Sequence, residues 1–171
     1  MSAEGLTRLG AGAWRVASPD AMRELGVGLG RALQAGDVVV LTGDLGAGKT
    51  CLTGGVAAGL GDGSAVTSPT FTIMSVHDEG RIPLYHFDLY RLEGPEQLDD
   101  VGIYDVLEAD GACLIEWGEA YVNELGDERL DVTVMREPVA PEGGEPARIV
   151  RTAPHGKRAE ALLAAWDGET R

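Results

Sequence analysis

The eight residues Gly43-Asp44-Leu45-Gly46-Ala47-Gly48-Lys49-Thr50 place three glycines beside a lysine and a hydroxyl. Gly43, Gly48, Lys49 and Thr50 fall on the spacing G-x-x-x-x-G-K-[ST], the pattern of a phosphate-binding loop. Each residue type has a physical task. Glycines let backbone N–H groups turn inward around an anion, where a Cβ would block the dihedrals or the approach. A helix starting at the lysine aims its positive end at the same anion. Lys49 then reaches the β- and γ-phosphates, and the Thr50 hydroxyl can bind Mg²⁺. The candidate nucleotide-binding set is Gly43, Asp44, Leu45, Gly46, Ala47, Gly48, Lys49, Thr50 and Cys51. The plain alternative is a Gly-rich turn with a solvated lysine.

A phosphate loop needs a second, acidic group near the metal, usually at the end of a buried strand. Two candidates stand in the chain: Asp88 in H-F-D-L-Y-R and Glu116 in L-I-E-W. Glu116 follows the apolar run 112–115 directly, so it should emerge at a strand's C-terminal edge, where open α/β sheets bind ligands. That position suits either a water-mediated Mg²⁺ contact or orientation of the attacking water. Thr50 and Glu116 are therefore the candidate metal-side residues, with Asp88 beside them as an acid at a strand end. His86 is read as structural.

The nucleotide follows by elimination. Guanine-specific loops of this kind add an Asn-Lys-x-Asp element, whereas the one asparagine here, Asn123, precedes Glu124. Adenine is favoured. Between Lys49 and Arg129 the only Arg or Lys side chains are Arg81 and Arg91, too few to hold a second phosphorylated substrate in the manner of a small-molecule kinase. Neither arginine is placed by the sequence.

The elements around these residues alternate. Trp14 to Val16 reads as a short strand, and Ser18-Pro19 as a helix start with a serine cap and proline in the first turn. Met22, Leu25, Leu29 and Leu33 then recur at helical intervals, with Gly36 as a stop. The β-branched run 37–42 is the strand that leads into the loop, and Leu52, Val56 and Leu60 mark the helix that leaves it. Segments 72–77 and 82–87 flank a turn and predict a hairpin, and 93–110 predicts one or two short helices. Residues 112–115 read as a buried parallel strand, 130–134 and 147–152 as a late strand pair, and Leu162, Leu163 and Trp166 as one face of a last helix.

Length and composition frame this reading. A chain of 171 residues with 44% hydrophobic content fits one domain spanning 1–171, since ~100–200 residues per domain is usual. With 14 basic and 28 acidic residues the formal charge is −14, which argues against direct grip on a nucleic-acid backbone. Cys51 and Cys113 lack metal-ligand spacing and are expected to be unpaired. Neither a signal-peptide pattern nor an apolar run of membrane-spanning length is present, so a cytoplasmic protein is expected.

Four segments in order, G-D-L-G-A-G-K-T, V-T-S-P-T-F at 66–71, H-F-D-L-Y-R-L at 86–92 and L-I-E-W at 114–117, resemble the TsaE (YjeE) family of bacterial ATPases. They span about half the chain. The resemblance implies an α/β, P-loop NTPase-like three-layer fold with a mostly parallel central sheet, binding ATP and Mg²⁺. It implies work with TsaD and TsaB, which transfer threonylcarbamoyl to adenosine 37 of tRNA, so that tRNA contact is indirect. It places the phosphate-loop Lys and Thr on Lys49 and Thr50, a switch-like Ser-Pro-Thr on Ser68, Pro69 and Thr70, the functional Asp on Asp88, and a Glu-Trp pair on Glu116 and Trp117. Glu116, Asp88 and Thr70 thus form the candidate catalytic set. Gly118 and Cys51 depart from the family's frequent Pro and Thr, and the resemblance is weak beyond about Leu130. A nucleotide-dependent binding switch with negligible hydrolysis, or a small-molecule kinase, are the alternatives.

Overall fold

The computed structural model describes residues 4–44, 46–66, 73–107, 109–140 and 142–171. Leu45 and the whole of 67–72, with Ser68, Pro69 and Thr70, lie outside them. The chain runs β1 (Leu6–Gly10), β2 (Ala13–Val16), α1 (Pro19–Ala32), β3 (Val38–Gly43), α2 (Lys49–Leu60), β4 (Met74–His77) and β5 (Leu84–Asp88). Two one-turn helices follow, α3 (Gln97–Asp100) and α4 (Ile103–Val106), then β6 (Ala112–Glu116), β7 (Arg129–Arg136), β8 (Arg148–His155) and α5 (Lys157–Glu169).

Among the described residues, eight strands form one sheet in the order β1-β2-β8-β7-β3-β6-β5-β4. The expectation of a mostly parallel sheet is corrected. Only the centre is parallel, β7-β3-β6-β5, whereas β1-β2, β2-β8, β7-β8 and β4-β5 pair antiparallel. For β1-β2, β4-β5 and β7-β8, which follow one another in the chain, a direct link is the physical reason, since it returns a strand antiparallel whereas a parallel partner needs a long crossover; β2 meets β8 without such a link. Between β1 and β2 the link is two residues, with Gly12 at φ 64°.

Side-chain alternation divides the core. Val39, Leu41, Leu84, Leu114, Leu130 and Val132 face a cluster with α1, α2 and α5, while Val38, Val40, Phe87, Cys113 and Ile115 face one with α3, α4, Tyr121 and Leu125. Period-two alternation on strands buried on both faces requires this division. Leu84, His86 and Asp88 share one face of β5, and Ala112, Leu114 and Glu116 share one face of β6. The polar members of both strands therefore stand on the side of α2.

The α1 start matches its sequence signal: the Ser18 hydroxyl accepts the Ala21 N–H at 3.1 Å, and Pro19 opens the helix. Its end is different from the expected glycine stop. Leu33 is the C-cap, and the Arg81 guanidinium donates to the carbonyls of Gly30 (3.2 Å) and Leu33 (2.7 Å).

Backbone contact joins α1 to α2. A Cβ at Gly26 would stand 2.2 Å from the Leu52 carbonyl oxygen, and one at Gly59 would stand 2.2 Å from that of Val27. Gly30 and Gly55 make the same close approach to Val56 and Arg23. Two glycines on each helix thus let the backbones touch, which fixes the helix that follows the loop. On the far side of α1, Trp166 of α5 donates its indole N–H to the Leu25 carbonyl at 2.9 Å and packs on Trp14. No helix among the described residues is long and apolar enough to cross a membrane.

Candidate functional site

The site forms where β3, β5 and β6 end together. Register sets Leu41 beside Glu116 and Glu116 beside Asp88, so Glu116 neighbours the strand that enters the loop and Asp88 lies one strand further out on the same side. Gly43 is there because β7 leaves no room: a Cβ would stand 2.6 Å from the Val134 carbonyl oxygen. Gly46 and Gly48 have φ of 75° and 111°, left-handed values that disfavour any side chain.

The carbonyls of the loop are held from outside. Arg136, at the end of β7, donates to the Gly46 oxygen at 3.0 Å, and Arg148, at the start of β8, donates to the Ala47 oxygen at 2.9 Å. In a trans peptide the carbonyl and the next N–H point opposite ways, so an Ala47 carbonyl aimed at Arg148 turns the Gly48 N–H inward. No side chain among the described residues caps α2, whose N-cap is Gly48. The first N–H groups of a helix have no intrahelical acceptor, and here they face the loop's concavity. An anion fits this arrangement.

Lys49 is buried (6% exposed) and turns back across the loop, its Nζ donating to the Gly43 carbonyl at 2.6 Å. The Trp117 ring lies over the same ammonium, 4.2 Å from centroid to Nζ. Trp117 has φ 59°, a conformation that costs energy for a bulky residue, and its ring meets Tyr90 at 5.1 Å between centroids. Thr50 and Cys51 are exposed on the first turn of α2. Asp44 closes the loop's turn by accepting the Ala47 N–H through its carbonyl, at 3.0 Å.

Glu116 is buried (3% exposed) and its carboxylate lies 2.6 Å from Nε2 of His86, which is fully buried. Asp88 is nearly buried and accepts the Tyr90 N–H at 3.1 Å, while its own N–H reaches the Ile73 carbonyl. Lys49, Thr50, Asp88 and Glu116 are thus brought to one end of the sheet. Arg81 is not: its guanidinium is committed to the end of α1.

Beside the loop, on the side of β2 and β8, a cavity of about 260 Å³ is lined by Val16, Met22, Gly48, Cys51, Pro146 and Arg148 among others. Sequence reasoning missed this cavity, both loop-holding arginines and the His86 contact. The signal for His86 was available, because Leu84-His86-Asp88 alternates and puts His86 on the face of Asp88. Nothing local marks Arg136 or Arg148, which lie 90 and 101 residues from their acceptors. Both cysteines are unpaired, and burial pushes the Cys113 thiol up to about 12.

The family model described as "Threonylcarbamoyl adenosine biosynthesis protein TsaE" matches residues 16–142. The protein named tRNA threonylcarbamoyladenosine biosynthesis protein TsaE in Bacillus subtilis is 37% identical over 149 residues, 87% of this chain and 89% of that one. Its namesake in Streptomyces coelicolor is 48% identical over 118 residues, 67% of this chain and 79% of that one. The crystal structure of Bacillus subtilis YdiB superposes with a TM-score of 0.73 at 31% identity, covering 99% of this chain and 100% of the other. With the phosphate-type loop and its two flanking acids lying inside the matched span, the chain belongs to the TsaE family of threonylcarbamoyl adenosine biosynthesis proteins.

Proposed function

We propose that this chain is a P-loop ATPase that binds Mg²⁺-ATP, hydrolyses it slowly alone, and supports the TsaD-TsaB transfer of threonylcarbamoyl to adenosine 37 of tRNA. The observation that carries the ATP reading is the loop itself. An uncapped helix start, two left-handed glycines and a lysine folded over the loop form a cradle for phosphate oxygens. Lys49 has three N–H donors, of which the Gly43 carbonyl takes one, and the others are available to phosphate. The adjoining cavity, largely apolar and next to Gly48 and Cys51, suits a planar base such as adenine. Thr50 and Glu116 would hold Mg²⁺, directly or through water, and the ion would neutralise charge developing on the phosphates.

The acids divide the remaining work. Glu116 positions the attacking water or tunes the metal, and Asp88, its register neighbour, acts beside it. Thr70 stands as the switch threonine by family resemblance. Of the alternatives, the kinase reading loses support, because Arg81, one of its two candidate substrate-holding cations, is bound to α1. The formal charge of −14 supports contact with tRNA through TsaD and TsaB rather than by this surface.

Titration calorimetry of the folded chain against Mg²⁺-ATP tests the reading. Lys49→Ala should lose about 1.5–3 kcal/mol of binding, the usual worth of a charge-assisted contact. Unchanged ATP affinity in a folded Lys49→Ala protein would contradict the phosphate-loop assignment.

A further inference from the structure

His86 has no role in the account so far, yet it is among the most deeply buried polar side chains of the molecule. Its neighbours on the strand and in the sheet, Leu84 and Leu114, belong to the apolar core. Placing an imidazole there costs free energy unless its nitrogens are matched. Only one is matched. Nε2 lies 2.6 Å from Glu116 Oε2, and Nδ1 has no partner among the described residues. An ionised carboxylate can only accept, so the proton of this contact is assigned to Nε2, while Nδ1 is left without a partner among the described residues.

Where the pair sits gives it consequence. Glu116 is the last residue of β6, followed by Trp117, whose ring covers Lys49. A glutamate has three side-chain torsions, and burial of Glu116 does not by itself choose which carboxylate oxygen is turned toward the loop. His86 is fully buried on β5 beside the core, and its Nε2 engages one carboxylate oxygen, which leaves the second to act. The arrangement parallels the carboxylate–imidazole contacts that orient ligands in metal sites, with the roles of holder and held exchanged. A second imidazole, His77, lies beside His86 with ring centroids 6.4 Å apart.

We propose that His86 is a positioning residue for Glu116: its Nε2–H fixes the carboxylate at the mouth of the phosphate loop, in the orientation used on Mg²⁺-ATP. The proposal rests on the reading of Glu116 as an acid of ATP hydrolysis. Small errors in the placement of a catalytic group cost large factors in rate, so losing the hold should depress turnover far more than binding.

Two measurements test it. In the nucleotide-free full chain with ¹⁵N-labelled histidine, NMR should show the His86 proton confined to Nε2, and Glu116→Ala should abolish that signature. Identical His86 ring signals in wild type and Glu116→Ala would overturn the contact. In single-turnover cleavage with saturating Mg²⁺-ATP and TsaD-TsaB present, His86→Leu should be slower by about tenfold or more, less than the ~10²-fold of a lost acid–base group because Glu116 itself remains. Its ATP affinity should stay within about threefold of wild type, as for an interaction made only in the transition state. His86→Gln, whose amide N–H reaches roughly where Nε2 stands, should recover most of the rate, and the shorter His86→Asn should not. A His86→Leu rate equal to wild type, or equal rates for folded His86→Gln and His86→Asn, would overturn the positioning role. If His86→Leu fails to fold, the Gln and Asn pair decides. If the wild type itself never cleaves ATP, the ATPase reading falls, while the NMR measurement still decides the His86 contact.

Discussion

At the residue scale, the proposed function gives Lys49, Glu116 and Asp88 separable tasks. Among the described residues the Lys49 ammonium bonds the Gly43 carbonyl and lies under the Trp117 ring, so removing it should weaken binding and leave the fold intact. Glu116 should separate binding from chemistry. Glu116→Ala is expected to bind ATP with little change while hydrolysis falls by ~10²-fold or more, the range for a lost acid–base group. Asp88→Ala is the comparison, because Asp88 also closes a turn through the Tyr90 N–H and its loss combines chemistry with local structure. Equal hydrolysis by wild type and Glu116→Ala at saturating nucleotide would remove Glu116 from the catalytic group. Residue types and spacing single out Lys49, Thr50, Asp88 and Glu116, which the fold brings to one end of the sheet. They did not find Arg136 or Arg148, because an arginine that donates to a distant carbonyl looks in sequence like any other surface arginine.

At the scale of elements, the helix that starts at Lys49 owes its placement to glycine. Gly59→Ala would improve intrinsic helix propensity by about 1 kcal/mol, but its Cβ would meet the Val27 carbonyl oxygen at 2.2 Å and push the helices apart. Overpacking of this kind costs about 1–3 kcal/mol. Gly54, one turn earlier on α2, has nothing within 4 Å of an added Cβ, so Gly54→Ala should keep the propensity gain. Urea unfolding should therefore show a lower midpoint for Gly59→Ala and an unchanged or higher one for Gly54→Ala. The reverse order would contradict the close backbone contact. Beyond the end of α2, Asp62 accepts from the Ser64 hydroxyl, from the Ser64 N–H at 2.8 Å and from the Glu79 N–H at 3.2 Å, tying the helix end to the β4–β5 turn. These bonds, the Ser64 hydroxyl first, hold its carboxyl below the usual carboxylate range. A carboxylate with a lowered folded pKa stabilises fully above its unfolded value, near 3.8 here, and loses that contribution as pH falls through the folded value. Asp62→Asn should flatten that part of the acid limb in a stability–pH profile. A limb identical to wild type would exclude Asp62 as a source of acid sensitivity. In the sequence the periodicity of α1 and α2 was plain, but their glycines read only as punctuation, because close backbone packing leaves no hydrophobic pattern.

For the whole molecule, the central strands, the β4–β5 hairpin and the β7–β8 pair were readable, whereas β1 and the way the flanks join the centre were not. The apolar runs of β3 and β6 are buried on both faces and announce themselves, whereas β1 is largely exposed and carries little hydrophobic pattern. Those flanks matter to function. The antiparallel β7–β8 hairpin supplies both arginines that hold the loop, and β2 and β8 contribute to the wall of the cavity beside it. Exposed Tyr90 lies against Trp117, so a partner docking on this end of the sheet would touch the ring that covers Lys49. No Lys or Arg lies between Lys49 and Arg81 in the sequence, and Arg81 is committed to the end of α1, so neither that segment nor Arg81 supplies an obvious built-in transition-state cation, a group worth about 10³–10⁵ in rate where it is used. Hydrolysis should accordingly be slow for the chain alone. The most direct test is single-turnover cleavage of Mg²⁺-ATP by the purified chain, with and without TsaD and TsaB. The account predicts tight nucleotide binding in both cases, with cleavage that is slow alone, accelerated by the partners, and lost in Glu116→Ala. Failure to bind ATP, or cleavage that is equally fast without the partners, would contradict it.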